Sequence, residues 1–546
     1  MDDRTPLLSA DVSAERAGIP LGVTTELAVV ISLRAAGDAV GGPRPALSVA
    51  FVLDASGSMR GDPIAQVKDS VERLIELLAP NDQVSIVAFA DNPVVVSERG
   101  PLTPGHKAHL KRRLQGVQAL GGTGMTRGLQ QGASALGPRG DNERQVVLLL
   151  TDGAPTDGAS TESLAAVALG LRPNVSTTTL GYGPNHNADL LDGVARAGGG
   201  QYWYIPDPQD AQVEFARALG AQGDVVVDGV ELVLLPSEGT EILEVLAAGK
   251  VRVSANGLVV PRPDLRSEQT HTTIVRLRID AGSEAGRTKP LSVQVRYRRA
   301  GAAAIHNVEA ALVVDVVHGE GSVNPGAQRL VALAGAEIKR ASARHQADQG
   351  RFDAAAAVLR AVVKDLEALP GYAKMDGGSV SEAVEQLLDE IQAYETRPSA
   401  QQYMEFRSTN LGVDLAQGSK HAADVKAQSQ SSRALMAGVV DQQVIGNIVV
   451  RQPGHADVVV PLAGELTIGR VPGNDIVLAL GNISKRHTRI VARDGKVVVV
   501  DLKATNGTFV NGQRVGAPQI VGPGDKIQIG ASELHFEARQ PAEPKK

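Results

Sequence analysis

Five short apolar runs recur between residues 47 and 220: Ser48 to Leu53, Val84 to Phe89, Val146 to Leu150, Ser176 to Leu180 and Gln201 to Ile205. They barely alternate with polar positions, so they read as strands buried on both faces, the pattern of a parallel sheet covered by helices. Helical spacing fills the gaps. After the first run, Ile64, Val67, Val71, Leu74, Ile75 and Leu78 fall on one helical face, and Pro63 stands near the start, where its missing N–H costs nothing. This rhythm predicts a doubly wound α/β domain over 46–220. A lone strand is expected at 23–33, behind a disordered tail at 1–20 and ahead of a Gly/Pro break at 37–45. From 221 to 320 strands follow without helices. Val251 to Ala255 and Leu258 to Val260 are joined by Asn256-Gly257, a hairpin signal. An antiparallel β-sandwich is expected, with residues 21–45 supplying one of its strands and the α/β domain inserted between.

Residues 321–396 are rich in Ala, Leu, Glu and Lys, with helices predicted near 328–347, 352–368 and 380–395 that pack over one side of the sandwich. A flexible linker is expected at 397–443, where Gln, Ser and Ala show no periodicity. Strand signals resume over 444–538, an all-β domain punctuated by Asp494-Gly495 and Asn511-Gly512, with a tail at 539–546.

Composition narrows the class. With 546 residues and 43% hydrophobic content, the chain exceeds one core and is multidomain. It has no cysteine, which excludes disulfides and thiolate metal sites and suits a reducing compartment, so a cytoplasmic location is expected. A net charge of −6 argues against non-specific nucleic-acid binding, and no apolar run approaches the roughly 18 residues of a membrane span. Proteins are the expected partners.

The first apolar run ends in Asp54-Ala55-Ser56-Gly57-Ser58. One carboxylate and two hydroxyls at a strand end suit a hard cation such as Mg²⁺, which takes few protein oxygens and keeps open positions. Helix capping by Ser and Gly is the plainer explanation, until two later features are added. Gly121-Gly122-Thr123 opens a helix, and Thr151-Asp152-Gly153 ends another buried strand, bringing oxygens to the carboxyl edge of the sheet. With these residues, 46–220 resembles a von Willebrand factor A domain, Rossmann-like in topology, with a metal-ion-dependent adhesion site. The resemblance implies Ser56, Ser58 and Thr123 as direct ligands of Mg²⁺ or Mn²⁺. It implies Asp54 and Asp152 as carboxylates acting directly or through water, and an acidic side chain of a partner completing the shell. Gly124 departs from the polar residue many relatives carry, and Thr126 is a second candidate hydroxyl. Arg60-Gly61-Asp62 spells an adhesion tripeptide, but Asp62 beside Pro63 reads more simply as a helix cap.

Near the C-terminus, Gly469-Arg470, then Ser484-Lys485-Arg486-His487, then Asp501 through Gly512 place guanidinium, ammonium and hydroxyl groups on loops of one β-sandwich. These are the charge-assisted, partly bidentate donors a phosphate dianion requires. Their order resembles a forkhead-associated domain. The resemblance implies that Arg470 and Ser484 hold a phosphothreonine, helped by Thr505, Lys485 and Arg486, that Asn506 fixes the peptide backbone, and that His487 orders the loop. A Ser/Thr protein kinase is then implied as a neighbour, and Thr5 in the N-terminal tail is a candidate phosphoacceptor for the chain's own reader. The expected function is a non-enzymatic adaptor joining a threonine-phosphorylated protein to an acidic partner. The alternative is a substrate-recognition subunit of an AAA-type ATPase or chelatase-like machine. No phosphate loop of the GxxxxGK[ST] type, HExxH helix or kinase signature occurs.

Overall fold

The computed structural model describes residues 6–36, 45–183, 185–205, 211–246, 251–254, 257–319, 321–370, 372, 379–398, 403, 407 and 446–538, except 453–456, 463–464, 471–473, 479, 481–482, 485–486, 494–495, 503, 505 and 517–518. The chain divides into two compact units, 1–433 and 434–546.

In the first unit a six-stranded sheet runs Pro93–Pro101, Gln83–Phe89, Ala46–Asp54, Glu143–Thr151, Val175–Tyr182, Gly199–Ile205. All neighbours are parallel except the first pair. The antiparallel edge strand Pro93–Pro101 was not expected; a proline at each end masks it, and such residues are tolerated at an edge. The central strand Ala46–Asp54 is buried on both faces, as its continuous apolar run requires. Phe51 meets Phe215 on one side, and Ala50 and Val52 join Met125 and Leu129 on the other. The helix Met125–Leu136 approaches closely because it presents glycines. A Cβ on Gly132 would lie 2.2 Å from Val52 Cγ2.

The sandwich combines residues from both sides of this insertion. One sheet runs Leu8–Ala14, Thr24–Ala35, Thr270–Asp280, Thr240–Leu246. The other runs Arg252–Ser254, Gly257–Pro261, Val225–Pro236, Gly286–Arg299, Ile305–Val317, Gly18–Pro20. Two expectations change here. Residues 8–14 and 18–20 are strands, not a disordered tail, Leu8–Ala14 pairing in register with Thr24–Ala35. Leu-Ser-Ala-Asp-Val-Ser-Ala alternates inward and outward, and such an edge strand hides in a polar sequence. Thr5 lies outside the described residues. In the hairpin Ser254 faces Gly257, so Gly257 belongs to the strand, where a Cβ would fall 2.4 Å from the Leu234 carbonyl oxygen.

Three helices follow, Pro325–Asp348, Phe352–Glu367 and Ser379–Glu395. They pack on one another around Leu333, Leu359, Val363, Leu387 and Tyr394. The sandwich is touched by the start of the first helix, where Ala327, Leu330 and Val331 meet Val30 and Ile274, and the expected covering of a whole side does not occur. Nor is the start of the 397–443 segment a free linker. Tyr403 is buried against the helices and donates to Asp348 Oδ1 at 2.7 Å. Arg407 pairs with Asp348 at 2.8 Å and with Asp189 of the α/β domain.

The second unit is all β. A six-stranded sheet, Val458–Leu462, Gly446–Arg451, Ser532–Ala538, Lys526–Ile529, Thr508–Val510, Gln513–Arg514, faces a five-stranded one, Ile476–Val477, Glu465–Gly469, Thr488–Arg493, Lys496–Asp501, Gln519–Val521. Ile448, Ile468, Ile490, Val499, Ile527 and Leu534 fill the space between. Among the described residues no helix is long and apolar enough to cross a membrane.

Candidate functional sites

From the central strand Ala46–Asp54 the chain departs toward Gln83–Phe89 on one side, and from its neighbour Glu143–Thr151 toward Val175–Tyr182 on the other. The crevice at the carboxyl ends of these two strands is the switch point where open α/β sheets bind ligands. Asp54 ends the first strand and Asp152 follows the second. The loops are stitched together by backbone: Leu120 N–H donates to Ala55 O at 2.7 Å, and Gly57 N–H to Gly121 O at 2.9 Å.

All five expected residues gather at this edge. Ser56 Oγ lies 3.0 Å from Ser58 Oγ, and Ser58 Oγ donates to Asp152 Oδ1 at 2.8 Å. Thr123 Oγ1 stands 3.7 Å from where a Cβ of Gly153 would begin, so the fourth oxygen borders the same crevice. Asp54 is fully buried. Its Oδ1 accepts from Ser56 N–H at 2.7 Å and its Oδ2 from the Thr151 hydroxyl, so this carboxylate holds the loop it belongs to. Burial pushes the Asp54 carboxyl up to about 6, against the lowering effect of the Thr151 and Ser56 hydrogen bonds, and burial raises Asp152 as well. Two carboxylates held in a poorly solvated edge are destabilised as anions, and a cation there would offset that cost.

The spacing of the oxygens fits such an ion. A Mg²⁺–oxygen distance of about 2.1 Å puts neighbouring vertices of an octahedron about 3.0 Å apart. The Ser56–Ser58 and Ser58–Asp152 separations are close to that edge.

The structure also explains residues that sequence reading missed. Thr123 N–H donates to Thr156 Oγ1 at 2.7 Å, and Thr156 N–H returns a bond to Thr123 O at 3.0 Å. Gly122 N–H donates to Asp91 Oδ1 at 3.0 Å. Gly124 has no room for a side chain: a Cβ there would sit 2.7 Å from Ala90 O and 2.8 Å from Asp91 O. The alternative, Thr126, is the second residue of the following helix, its N–H taken by Asp157 Oδ2 at 3.1 Å. Asp62 is not a side-chain cap: Gly61 is the N-cap, at φ 89°, and Asp62 contributes its charge in the first turn.

In the second unit, Arg470 N–H donates to Ser484 O at 3.0 Å, which brings the two expected phosphate-holding residues onto one edge. Arg470 and Asn506 are exposed and Ser484 half-buried. Lys485, Arg486 and Thr505 lie outside the described residues. His487 is fully buried and ties the loops together. Its Nδ1 accepts from Ser484 N–H at 3.1 Å, so the proton sits on Nε2, which donates to Gly507 O at 3.1 Å. Asp501 fixes the other side of that turn, accepting from Ala504 N–H at 3.0 Å, Thr508 N–H at 2.6 Å and Thr508 Oγ1 at 2.7 Å. Gly507 at φ 72° completes it.

Residues 48–216 match the model of the von Willebrand factor type A domain, and residues 466–530 that of the FHA domain. The chain therefore combines two domains, an α/β one and an all-β one. Among sequence relatives, the uncharacterized protein sll0103 of Synechocystis sp. is 26% identical over 260 residues, 46% of this chain and 61% of that one. Inter-alpha-trypsin inhibitor heavy chain H1 of Homo sapiens is 29% identical over 175 residues, 30% of this chain and 19% of that one. The chain thus spans less than two thirds of the length of either relative. A von Willebrand factor type A structure from Catenulispora acidiphila superposes with a TM-score of 0.58 at 18% identity, covering 77% of this chain and 99% of that one, a likeness of fold.

Proposed function

We propose that the protein is a non-enzymatic adaptor with two binding sites. Its FHA domain takes a phosphothreonine of a protein partner on Arg470 and Ser484, with Lys485, Arg486 and Thr505 assisting and Asn506 holding the peptide backbone. Its α/β domain holds Mg²⁺ or Mn²⁺ with Ser56, Ser58 and Thr123, supported by Asp54 and Asp152. When bound, the ion supplies a Lewis-acidic position for a partner's carboxylate. The observation that carries this reading is the run of oxygens Ser56–Ser58–Asp152 at 3.0 and 2.8 Å, spaced as octahedral neighbours at the switch point of the sheet.

The chemistry of the donors favours binding over turnover. A phosphohydrolase at this edge needs a nucleophilic carboxylate with a second two residues on, and the second position here is Ser56. Two moderate sites on one chain gain affinity through linkage when both are engaged. A Ser/Thr kinase is the enzyme class that must supply the first ligand, and a cytoplasmic setting accommodates it.

The experiment is a phosphopeptide array, together with pull-down and mass spectrometry from lysate, each run with Mg²⁺ and with chelator. Phosphothreonine-dependent capture that survives chelation, and a separate set of partners lost on chelation, supports the reading. Capture indifferent to both phosphate and metal overturns it.

A further inference from the structure

Where the α/β domain meets the sandwich, buried arginines crowd together. Arg144 and Arg172 share Asp264, at 2.9 and 3.1 Å, and Arg298 has Asp228 at 3.0 Å. Arg262 is different. It is 5% exposed, follows the strand Gly257–Pro261, and is anchored by its backbone N–H on Val230 O at 2.9 Å. Its Nε and Nη2 are buried and meet no acceptor among the described residues. Burial pulls the guanidinium down to about 10, and among the described residues no carboxylate acts against it.

A second basic group shares the locality. His271, on the strand Thr270–Asp280 of the opposite sheet, has a buried Nδ1 without a partner among the described residues. Burial, then the charges of Arg262 and Arg196, drive its imidazole to about 3, so the ring is neutral. Arg196, at the end of the α/β helix Ala188–Ala197, is engaged with Asp192 at 2.6 Å.

We propose that Arg262 and His271 form an anion site at this seam, which takes a small tetrahedral oxyanion of the phosphate or sulfate class. The two free donors of Arg262 are its side-on pair, Nε–H and Nη2–H, which point in parallel and match two oxygens of one anion. The neutral His271 tautomer with hydrogen on Nδ1 supplies a third donor. A buried guanidinium with no counter-charge among the described residues is destabilising, and the anion supplies that counter-charge. Since the two residues come from opposite sheets, a bound anion bridges the sandwich beside the α/β helix that carries Arg196.

The test uses the full chain carrying Arg470→Ala, so that phosphate at the FHA domain does not contribute. Thermal unfolding is followed by fluorescence of Trp203, the single tryptophan, in chloride, acetate, phosphate and sulfate at equal ionic strength. Phosphate and sulfate raise the midpoint by several degrees over chloride, through binding to the folded state, and acetate does so less. Arg262→Met removes the increment, and Arg262→Lys, which keeps the charge but loses the fork, weakens the apparent affinity at least tenfold. If Arg262→Met does not fold, His271→Leu serves in its place and reduces the affinity at least threefold. An unchanged increment in the variant that folds, no increment in the parent, or an equal effect of acetate overturns the proposal.

Discussion

The Ser58 hydroxyl donates to Asp152 Oδ1 at 2.8 Å across 94 positions of sequence, closing the crevice between two adjacent parallel strands. One residue belongs to the loop after the first strand of the sheet and the other to the loop after its neighbour. Their contact is what turns two unremarkable polar loops into a common oxygen cluster.

Removing a member of that cluster tests the proposed cation site. Asp54→Ala is expected to weaken Mg²⁺ or Mn²⁺ binding at least tenfold, since the variant loses both the negative charge and the anchor of Ser56 N–H. Isothermal calorimetry on the full chain measures this. Absence of any metal-binding heat in the unmutated protein would sink the site itself.

Arg470→Ala is expected to abolish phosphothreonine-peptide binding and leave metal binding unchanged, because the two residues sit in separate compact units. Fluorescence anisotropy of a labelled phosphopeptide and calorimetry with Mg²⁺ read the two arms. Equal peptide affinity in the variant would remove Arg470 from the site.

His487→Ala should loosen the same reader from behind. The variant forfeits the bonds to Ser484 N–H and Gly507 O, which costs about 2–3 kcal/mol. The expected result is a lower unfolding midpoint of the second unit with a parallel loss of peptide affinity. Affinity retained at full stability would show that the bridge does not position the loops.

Gly124→Ala should disturb the proposed metal edge without touching a proposed ligand. Its Cβ would press on Ala90 O and Asp91 O, so the Thr123 loop must shift, at a cost of about 1–3 kcal/mol. Reduced metal affinity with an intact fold by circular dichroism is the expected signature, and wild-type affinity would count against it.

His186 makes the α/β domain sensitive to acid. Its Nδ1–H donates to Gly183 O at 2.6 Å, and its Nε2 accepts from Tyr202 Oη at 2.7 Å, which fixes the neutral ring. Burial lowers it from 6.5 to about 4. A folded-state value below the unfolded one means that the unfolded chain takes up the proton first. The stabilisation is therefore complete above pH 6.5 and is lost as pH falls toward 4, by on the order of 2–3 kcal/mol. Urea unfolding followed at Trp203, one residue from Tyr202, should show a falling midpoint across that window. His186→Gln should flatten the dependence; the same slope in the variant would assign it to other groups.

Much of this was legible in the sequence. Asp54, Ser56 and Ser58 are contiguous, and the apolar run before them declares the strand that aims them. Thr123, Asp152, Arg470 and Ser484 were reached through motif order. Their supports were not. Thr151, Thr156 and Asp91 are ordinary polar residues whose bonds to the site form only once loops 30 to 100 positions apart meet.

The sequence by itself determined the strands and helices with strong periodicity, since a segment buried on both faces has no choice but to be apolar throughout. It also supplied the donor types of both proposed sites. Only the tertiary structure decided that Leu8–Ala14 is a paired strand, that Tyr403 and Arg407 dock on the helices and on Asp189, and that Arg144, Arg172 and Arg298 pair with Asp264 and Asp228. Those outcomes depend on which distant groups share a low-dielectric space, and neither local propensity nor hydrophobic period encodes that.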